Sequence, residues 1–481
     1  MSFAQTIRFA QDVNRLGRMR KYPSFIEELR ALRELRKERL QRLLRHAVTA
    51  PFFREKYRGL ALDQIQLSQL PPTTKQELMT NFDCAITDPA VRRDDVEQFI
   101  MDRANLGRFF RGRYSVSHTS GSEGQPLMLV QNRRCLEILF AMTATRANAQ
   151  GNGLRRLFRP TRLAVVTMGR GFYPSGAAFE FLPAVVGAFV RVMRLSAMQP
   201  DLIDRLNHFQ PNSLIAYPSA LDWLAVQPHR MRLAPYLRQV VSTGEHLTDR
   251  ARQRIKQAFG VPVFDHYGMG ECLFLADGCP TDGGCHLNAD WAILEVVDKD
   301  YHPVPAGQPG AKILVTNLVN TVQPIIRYEV GDTVTLASRP CRCGSRLPWI
   351  ERVSGRSAEV FWIGERKEQM VAGLVFKHAV EYLHQIREWQ AVQLEPNRVE
   401  IRLELLPGAG LDQKTAESVV VQKLEELGLP AQVKAAVRIV PSLGPDPVTG
   451  KFHRLISQIA PVHTENVMRV DEVTQSPKLT Q

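Results

Sequence analysis

From about residue 160 the chain repeats one pattern: a short apolar run of strand type, a polar turn, then a run with helical spacing. "RLAVVTM" reads as a buried strand and "SLIAYPSALDWLAV" as a strand turning into a helix. "YLRQVVSTGEHLTDRARQRIKQAFG" reads as strand, loop and helix, and "VPVFDHYGMGE" as strand then loop. Apolar runs without alternation suit strands covered on both faces, and the intervening helices supply the cover. The expected fold class is therefore α/β, a large N-terminal domain of parallel sheet flanked by helices. Function belongs at the loops after the strands' carboxyl ends. Residues 291–336 add "WAILEVVD", "KILVTNL" and "PIIRYEVGDTV", short runs broken by Pro, Gly and Asn, which predict a mainly antiparallel β unit.

Past Gly355–Arg356 the pattern starts again with "AEVFWI", "HAVEYLHQI", "VEIRLELL" and "TAESVVVQKLEEL", a separate α+β unit. The expected division is an N-terminal domain over 1–355, a C-terminal domain over 356–465 and a polar tail over 466–481. Residues 1–60 form a helical extension of the first domain. Within it, "SFIEELRALRELRKERLQRLLRH" spaces Leu29, Leu32, Leu35, Leu40, Leu43 and Leu44 for one helix face, and Ser24 with Glu27 makes a capping box. That stripe should pack on the main body; it is too short and drifting for a coiled-coil seam.

A net charge of +13 suits polyanionic partners, from nucleic acid and acidic lipid to ATP or coenzyme A, and a solvated basic face explains it equally well. The basic residues lie on amphipathic helices without interleaved stacking aromatics, which counts against nucleic acid; a zinc-bearing nucleic-acid binder is the alternative of a different class. No stretch is long and apolar enough to span a bilayer, and the N-terminus lacks a signal peptide's apolar centre. Seven cysteines, an odd number, then point to a reducing cytoplasm. The sequence leaves the oligomeric state open, a homodimer included.

Four stretches carry candidate chemistry. In "TSGSEGQP", Thr119, Ser120 and Ser122 offer hydroxyls, while Gly121 and Gly124 let successive N–H groups turn toward one anion. The Walker GK[ST] ending is absent, and taken alone a plain turn explains the stretch better. "VVSTGEHL" puts Gly244 and Glu245 after a buried strand, where a flat base could lie on the backbone. "DHYGMGE" offers Tyr267 for an adenine face and Glu271 for Mg²⁺ between phosphates. Asp332, ending "RYEVGD", could accept both ribose hydroxyls. Each also has an ordinary reading: a core aromatic, a solvated acid, a turn former.

Cysteines make a further constellation. "RPCRCGSRLP" can aim the thiolates of Cys341 and Cys343 at one ion, and Cys279 with either His286 or Cys285 would complete a tetrahedron. Thiolate and imidazole ligands favour Zn²⁺. Cys84, Cys135 and Cys272 read as packing residues.

The ordered set "TSGSEGQP", "AYPSALDWLA", "STGEHLTDRARQRIKQAFGVPVFDHYGMGE", "IIRYEVGD", "VSGR" and "GKFHRL" resembles the adenylate-forming superfamily, and within it the phenylacetate–coenzyme A ligase and capsule-biosynthesis group. The resemblance implies an AMP-forming acid ligase that makes an acyl-adenylate from ATP and a carboxylic acid. Coenzyme A would be the acceptor, or alternatively an amine. It implies that Thr119, Ser120, Gly121, Ser122 and Gly124 hold the ATP phosphates. Gly244, Glu245, Tyr267 and Gly268 border the adenine, Glu271 binds Mg²⁺, Asp332 the ribose, and Arg356 the nucleotide at the domain junction. Lys451, on a mobile C-terminal domain, bridges carboxylate and α-phosphate. The relatives' Cys and His pattern selects Cys279, His286, Cys341 and Cys343 as structural zinc ligands. Around "GRGFYPSGAAFEFLP", Tyr173, Ala177 and Phe179, with Tyr217, would line a pocket for an aromatic or planar acid. Two departures stand out. Glu123 and Gln125 replace a hydroxyl residue and a lysine of the group, and Ser357-Ala358-Glu359 stands where a hinge aspartate is common.

Overall fold

The structure is a computed structural model. It describes residues 25–119, 127–146, 161–167, 171–181, 190–197, 199–225, 227, 231–233, 235–245, 247, 249–279, 281–354, 360–364, 369–380, 382–406, 408–443 and 454–459. The leucine-striped helix is α1, Phe25–Ala47. Leu32, Leu40, Leu43 and Leu44 are buried, each contributing about 1.5–3 kcal/mol against exposure, while Ser24 lies outside the described residues. Strands β1 (Tyr114–His118) and β2 (Met128–Asn132) form an antiparallel hairpin that runs into α2, Arg133–Thr145. Asn132 caps α2 by accepting from Cys135 N–H at 3.2 Å.

Among the described residues one nine-stranded sheet forms the centre, ordered β13-β14-β9-β8-β7-β6-β5-β3-β4. Its parallel half is β3 (Thr161–Thr167), β4 (Val190–Ser196), β5 (Ser213–Ala216), β6 (Gln239–Thr243) and β7 (Val263–Met269). Helices α3 (Leu202–Phe209), α4 (Pro218–Ala225) and α5 (Asp249–Phe259) intervene, and their apolar faces share a core with Leu214, Val240 and Val263. The sheet then reverses. β8 (Cys272–Gly278) folds back antiparallel on β7, followed by β9 (Cys285–Leu287). "HYGMGE" therefore sits on a β-hairpin, where the sequence suggested a strand followed by an open loop.

A three-stranded antiparallel sheet of β10 (Ala292–Val297), β11 (Lys312–Asn317) and β12 (Tyr328–Val330) is the expected β unit. β13 (Thr333–Leu336) and β14 (Trp349–Ser354) return the chain to the central sheet. The C-terminal α+β unit pairs β15 (Val360–Ile363) with β16 (Gln369–Ala372), and orders β19-β18-β17-β20 beneath α6 (Gly373–Val380) and α7 (Gln413–Glu426). Here β17 spans Ile386–Glu395, β18 Arg398–Leu405, β19 Lys434–Val440 and β20 Leu455–Ser457. The helix expected over "HAVEYLHQI" in fact starts at Gly373 and ends at Val380, because Val375, Phe376 and Ala379 are the residues that reach the core. Cys135 and Cys272 are buried as expected, but Cys84 is exposed: its short helix buries Phe82 and Ala85 and turns the thiol outward.

Candidate active site

The serine–glycine loop springs from the β1–β2 hairpin, and its base is pinched shut. Thr119 N–H donates to Leu127 O at 2.9 Å, and Leu127 N–H donates to Thr119 Oγ1 at 2.9 Å. Ser120, Gly121, Ser122, Glu123, Gly124 and Gln125 themselves lie outside the described residues, as do Arg356 and Lys451.

Facing that base is the turn of the β7–β8 hairpin. A Cβ added to Gly270 would stand 2.6 Å from Leu129 Cδ1, 3.0 Å from Pro174 Cγ and 3.1 Å from Thr119 Cγ2. Only glycine lets the turn close on the loop base, and Gln131 Nε2 fixes it by donating to Gly270 O at 3.1 Å. Tyr267 Oη donates to Asp332 Oδ2 at 2.7 Å, so the residues predicted for adenine and ribose meet directly. Glu271 is buried, and burial pushes its carboxyl above the usual range against a hydrogen bond from Tyr328 and the charge of Lys75. A carboxylate in that position fits Mg²⁺, which would restore its charge and supply a positive centre for phosphate oxygens.

The third wall follows β6. Gly244 has φ +81°, and its added Cβ would lie 2.4 Å from Tyr217 Cε1, so the tyrosine ring rests on bare backbone. Glu245 turns to the start of α4, accepting from Ser219 N–H at 3.1 Å and Ser219 Oγ at 2.7 Å. Burial raises its carboxyl, and those two bonds oppose the rise. The predicted pocket residues take separate places: Tyr217 stands over Gly244, while Tyr173 and the buried Ala177 share a helical turn through a 2.7 Å backbone bond. Phe179 is half-buried and offers its carbonyl to Arg194 at 2.9 Å.

Three residues at the site escaped the sequence reading. The Tyr173 ring lies 4.2 Å from His378 of α6 and 5.0 Å from His118, the residue before Thr119. A helix of the C-terminal unit is thereby seated at the loop base. Arg327 adopts φ +44°, a backbone state costing about 1–2 kcal/mol for a non-glycine residue. It is held there by Glu295 at 3.0 Å, by the carbonyls of Ser68 and Leu70 and by Thr316 Oγ1, which fixes the chain's approach to Asp332.

Apart from this cleft, Cys279, His286, Cys341 and Cys343 place one ligand atom each within 4.8 Å of all the others. Cys279 and Cys341 sulfurs are 3.3 Å apart, Cys341 and Cys343 3.4 Å, and His286 Nε2 is 3.2 Å from Cys343 Sγ. Backbone N–H groups of Thr281 and Ser345 point at two of the sulfurs, and Leu347 O faces the other histidine nitrogen. This donor set fits Zn²⁺, whose tetrahedral ligands stand about 3.3–3.8 Å apart. Cys285 does not take part: its thiol donates to Asp265 O at 3.0 Å in the core.

Comparison with known proteins agrees with this architecture. Residues 113–317 match the family described as AMP-binding enzyme. Protein CapK of Staphylococcus aureus is 25% identical over 206 residues, 42% of this chain and 43% of that protein. Indoleacetate–lysine synthetase of Pseudomonas savastanoi is 29% identical over 154 residues, 31% and 36% of the two chains. The matched part thus spans less than half the length of either relative. The fold is similar to that of 2-hydroxyisobutyryl-CoA ligase in complex with 2-HIB-AMP and CoA in the thioesterification state, with a TM-score of 0.60, 21% identity and 91% of each chain covered. For an open conformation the TM-score is 0.53, at 20% identity over 91% and 93%. Residues 113–317 thus resemble an AMP-binding domain, in a chain whose fold is similar to that of an acid–CoA ligase.

Proposed function

We propose that the protein is an ATP-dependent, AMP-forming acid ligase of the phenylacetate–coenzyme A ligase-like group. The observation that carries this reading is the convergence at Gly270, where loop base, β7–β8 turn and Pro174 close on one another beside the Tyr267–Asp332 pair. In the first half-reaction a carboxylate oxygen attacks the α-phosphorus of ATP and pyrophosphate leaves. Two anions must meet, so the work of the chain is charge management. The loop from Thr119 to Gly124 would offer N–H and hydroxyl donors to the phosphates. Lys451 would bring a positive charge to the α-phosphate and the carboxylate. Gly244 and Glu245, with Tyr267 and Gly268, would bound the adenine, Asp332 the ribose, and Arg356 the junction to the C-terminal domain, residues 356–465. Mg²⁺ at Glu271 would neutralise the leaving pyrophosphate.

In the second half-reaction an acceptor attacks the acyl carbon and AMP leaves. Coenzyme A is the acceptor we favour. The run of sequence shared with an enzyme named for joining indoleacetate and lysine supports an amine as the second reading. Tyr173, Ala177, Phe179 and Tyr217 would line the acid's pocket, and the four-residue zinc site would brace the β unit behind it. Among the described residues no helix is long and apolar enough to cross a membrane; we assign the enzyme to the cytoplasm, where ATP is available and thiols stay reduced. Purified protein given ATP, Mg²⁺ and a panel of aryl, aliphatic and amino acids tests the acceptor. AMP release that rises on adding coenzyme A supports the thioester reading; release with lysine or simple amines but not with coenzyme A overturns it.

A further inference from the structure

The nucleotide-side hairpin is irregular: pairing of β7 with β8 shifts register between Tyr267 and Met269, so the backbone ladder alone does not fix the residues predicted to meet ATP. A side chain bridges the gap. His266, one residue before Tyr267, lies between the strands with Nδ1 3.0 Å from Asp277 Oδ1 and Nε2 2.7 Å from Leu273 O. A carbonyl oxygen only accepts, so Nε2 carries a proton. Asp277 also accepts from Asn288 Nδ2 at 2.9 Å, and Arg146, the residue just past α2, reaches Asn288 Oδ1 and grips Asp290 with both nitrogens, at 2.9 and 3.0 Å. That chain of donors favours the carboxylate form of Asp277, which leaves Nδ1 to carry the second proton.

We propose that His266 is a positioning residue held as an imidazolium, whose two N–H bonds clamp the β7–β8 hairpin and so set Tyr267 and Glu271 for the nucleotide. The functional part of this inference rests on the ATP-ligase reading above. The clamp also explains Gly268, because a Cβ there would lie 2.7 Å from Leu273 O and 3.2 Å from His266 Nε2, in the space that carbonyl and ring occupy. Other charges near the ring are Asp265 on its own strand, paired with Arg252 of α5 at 3.7 Å and bonded by Ser242 Oγ at 3.1 Å, and Arg146 beyond Asn288. Burial by itself would lower the histidine's pKa, but its bond and charge interaction with Asp277 outweigh that and hold it above the ordinary value of 6.5. A group raised on folding contributes fully below its unfolded pKa and loses its contribution as pH rises through the folded value. The clamp is therefore complete below the ordinary histidine value and opens as pH rises through the raised, folded one.

The test uses the full chain labelled with ¹⁵N-histidine, the His266 signals being assigned by their loss in H266Q. Two protonated ring nitrogens at about pH 6.5, where an exposed histidine is half titrated, are expected; a ring that titrates no later than an exposed histidine overturns the proposal. In steady-state assays H266Q should raise the KM for ATP about tenfold with a smaller change in kcat, and should abolish the wild type's alkaline rise in that KM. An unchanged KM for ATP in folded H266Q, or the same alkaline rise, refutes the positioning role. Should the wild type catalyse no ATP–pyrophosphate exchange, the ligase reading fails, and the nitrogen shifts still decide the protonation state of His266. If H266Q does not fold, the wild-type titration with its pH–KM profile decides alone.

Discussion

Replacing Gly244 by alanine should injure the molecule at a single, calculable place. The residue has φ +81°, so any Cβ costs about 1–2 kcal/mol in backbone strain alone. The same Cβ would stand 2.4 Å from Tyr217 Cε1 and 2.9 Å from Cδ1, closer than any real contact, and moving the ring aside adds about 1–3 kcal/mol. The expected loss is about 2–5 kcal/mol, of which only the clash depends on the tyrosine. A double-mutant cycle separates the two. In a Tyr217→Ala background, Gly244→Ala should cost about 1–3 kcal/mol less than in the wild type, the clash being gone. Urea denaturation of the four proteins at constant m supplies the free energies, and binding of ATP reports the site. Stability of G244A within about 0.5 kcal/mol of wild type, or strict additivity, would refute the packing described between Gly244 and Tyr217.

Other outcomes follow from the same geometry. The purified chain should carry about one zinc per molecule, and Cys343→Ser should lose it with a fall in Tm of roughly 4 °C for a loss near 3 kcal/mol; metal content by mass spectrometry and a melting curve decide. Asp290 is fully buried between Arg146 and Arg39, which also lies over the Trp291 ring at 3.2 Å. Asp290→Asn should therefore destabilise by about 3–5 kcal/mol, read from the urea midpoint, because two guanidinium groups lose their counter-charge. His378→Ala removes the ring that the C-terminal unit sets against Tyr173. Single-turnover assays should show transfer to the acceptor slowed about tenfold or more and adenylate formation affected less; equal effects on both steps would count against a contact specific to transfer.

The parallel half of the sheet was legible because strands buried on both faces read as unbroken apolar runs, as in Leu163–Val166. The β7–β8 hairpin was not, since its strands carry His266, Tyr267 and two glycines, with Gly270 in the turn, in place of an alternating pattern. The grouping of Cys279, His286, Cys341 and Cys343 was expected, but the choice between Cys285 and His286 depended on strand phase. Neighbours on β9 point to opposite faces, and the fold turns His286 to the cluster and Cys285 to the core. Tyr267 and Asp332 were singled out in separate motifs, and it is the fold that brings them into direct contact. The meeting of His118, Tyr173 and His378 could not, for it joins residues far apart in the chain that belong to no shared pattern. Arg327 was equally hidden, because a left-handed backbone at a non-glycine residue is imposed by partners in the finished fold.

Acid-dependent exchange of radiolabelled pyrophosphate into ATP, measured on the wild type and on Lys451→Ala, tests the central claim most directly. The account predicts exchange that requires Mg²⁺ and a particular carboxylic acid and falls at least a hundredfold in the variant, a loss of about 2.7 kcal/mol in transition-state stabilisation. No exchange with any acid, or exchange indifferent to both the acid and Lys451, would contradict it.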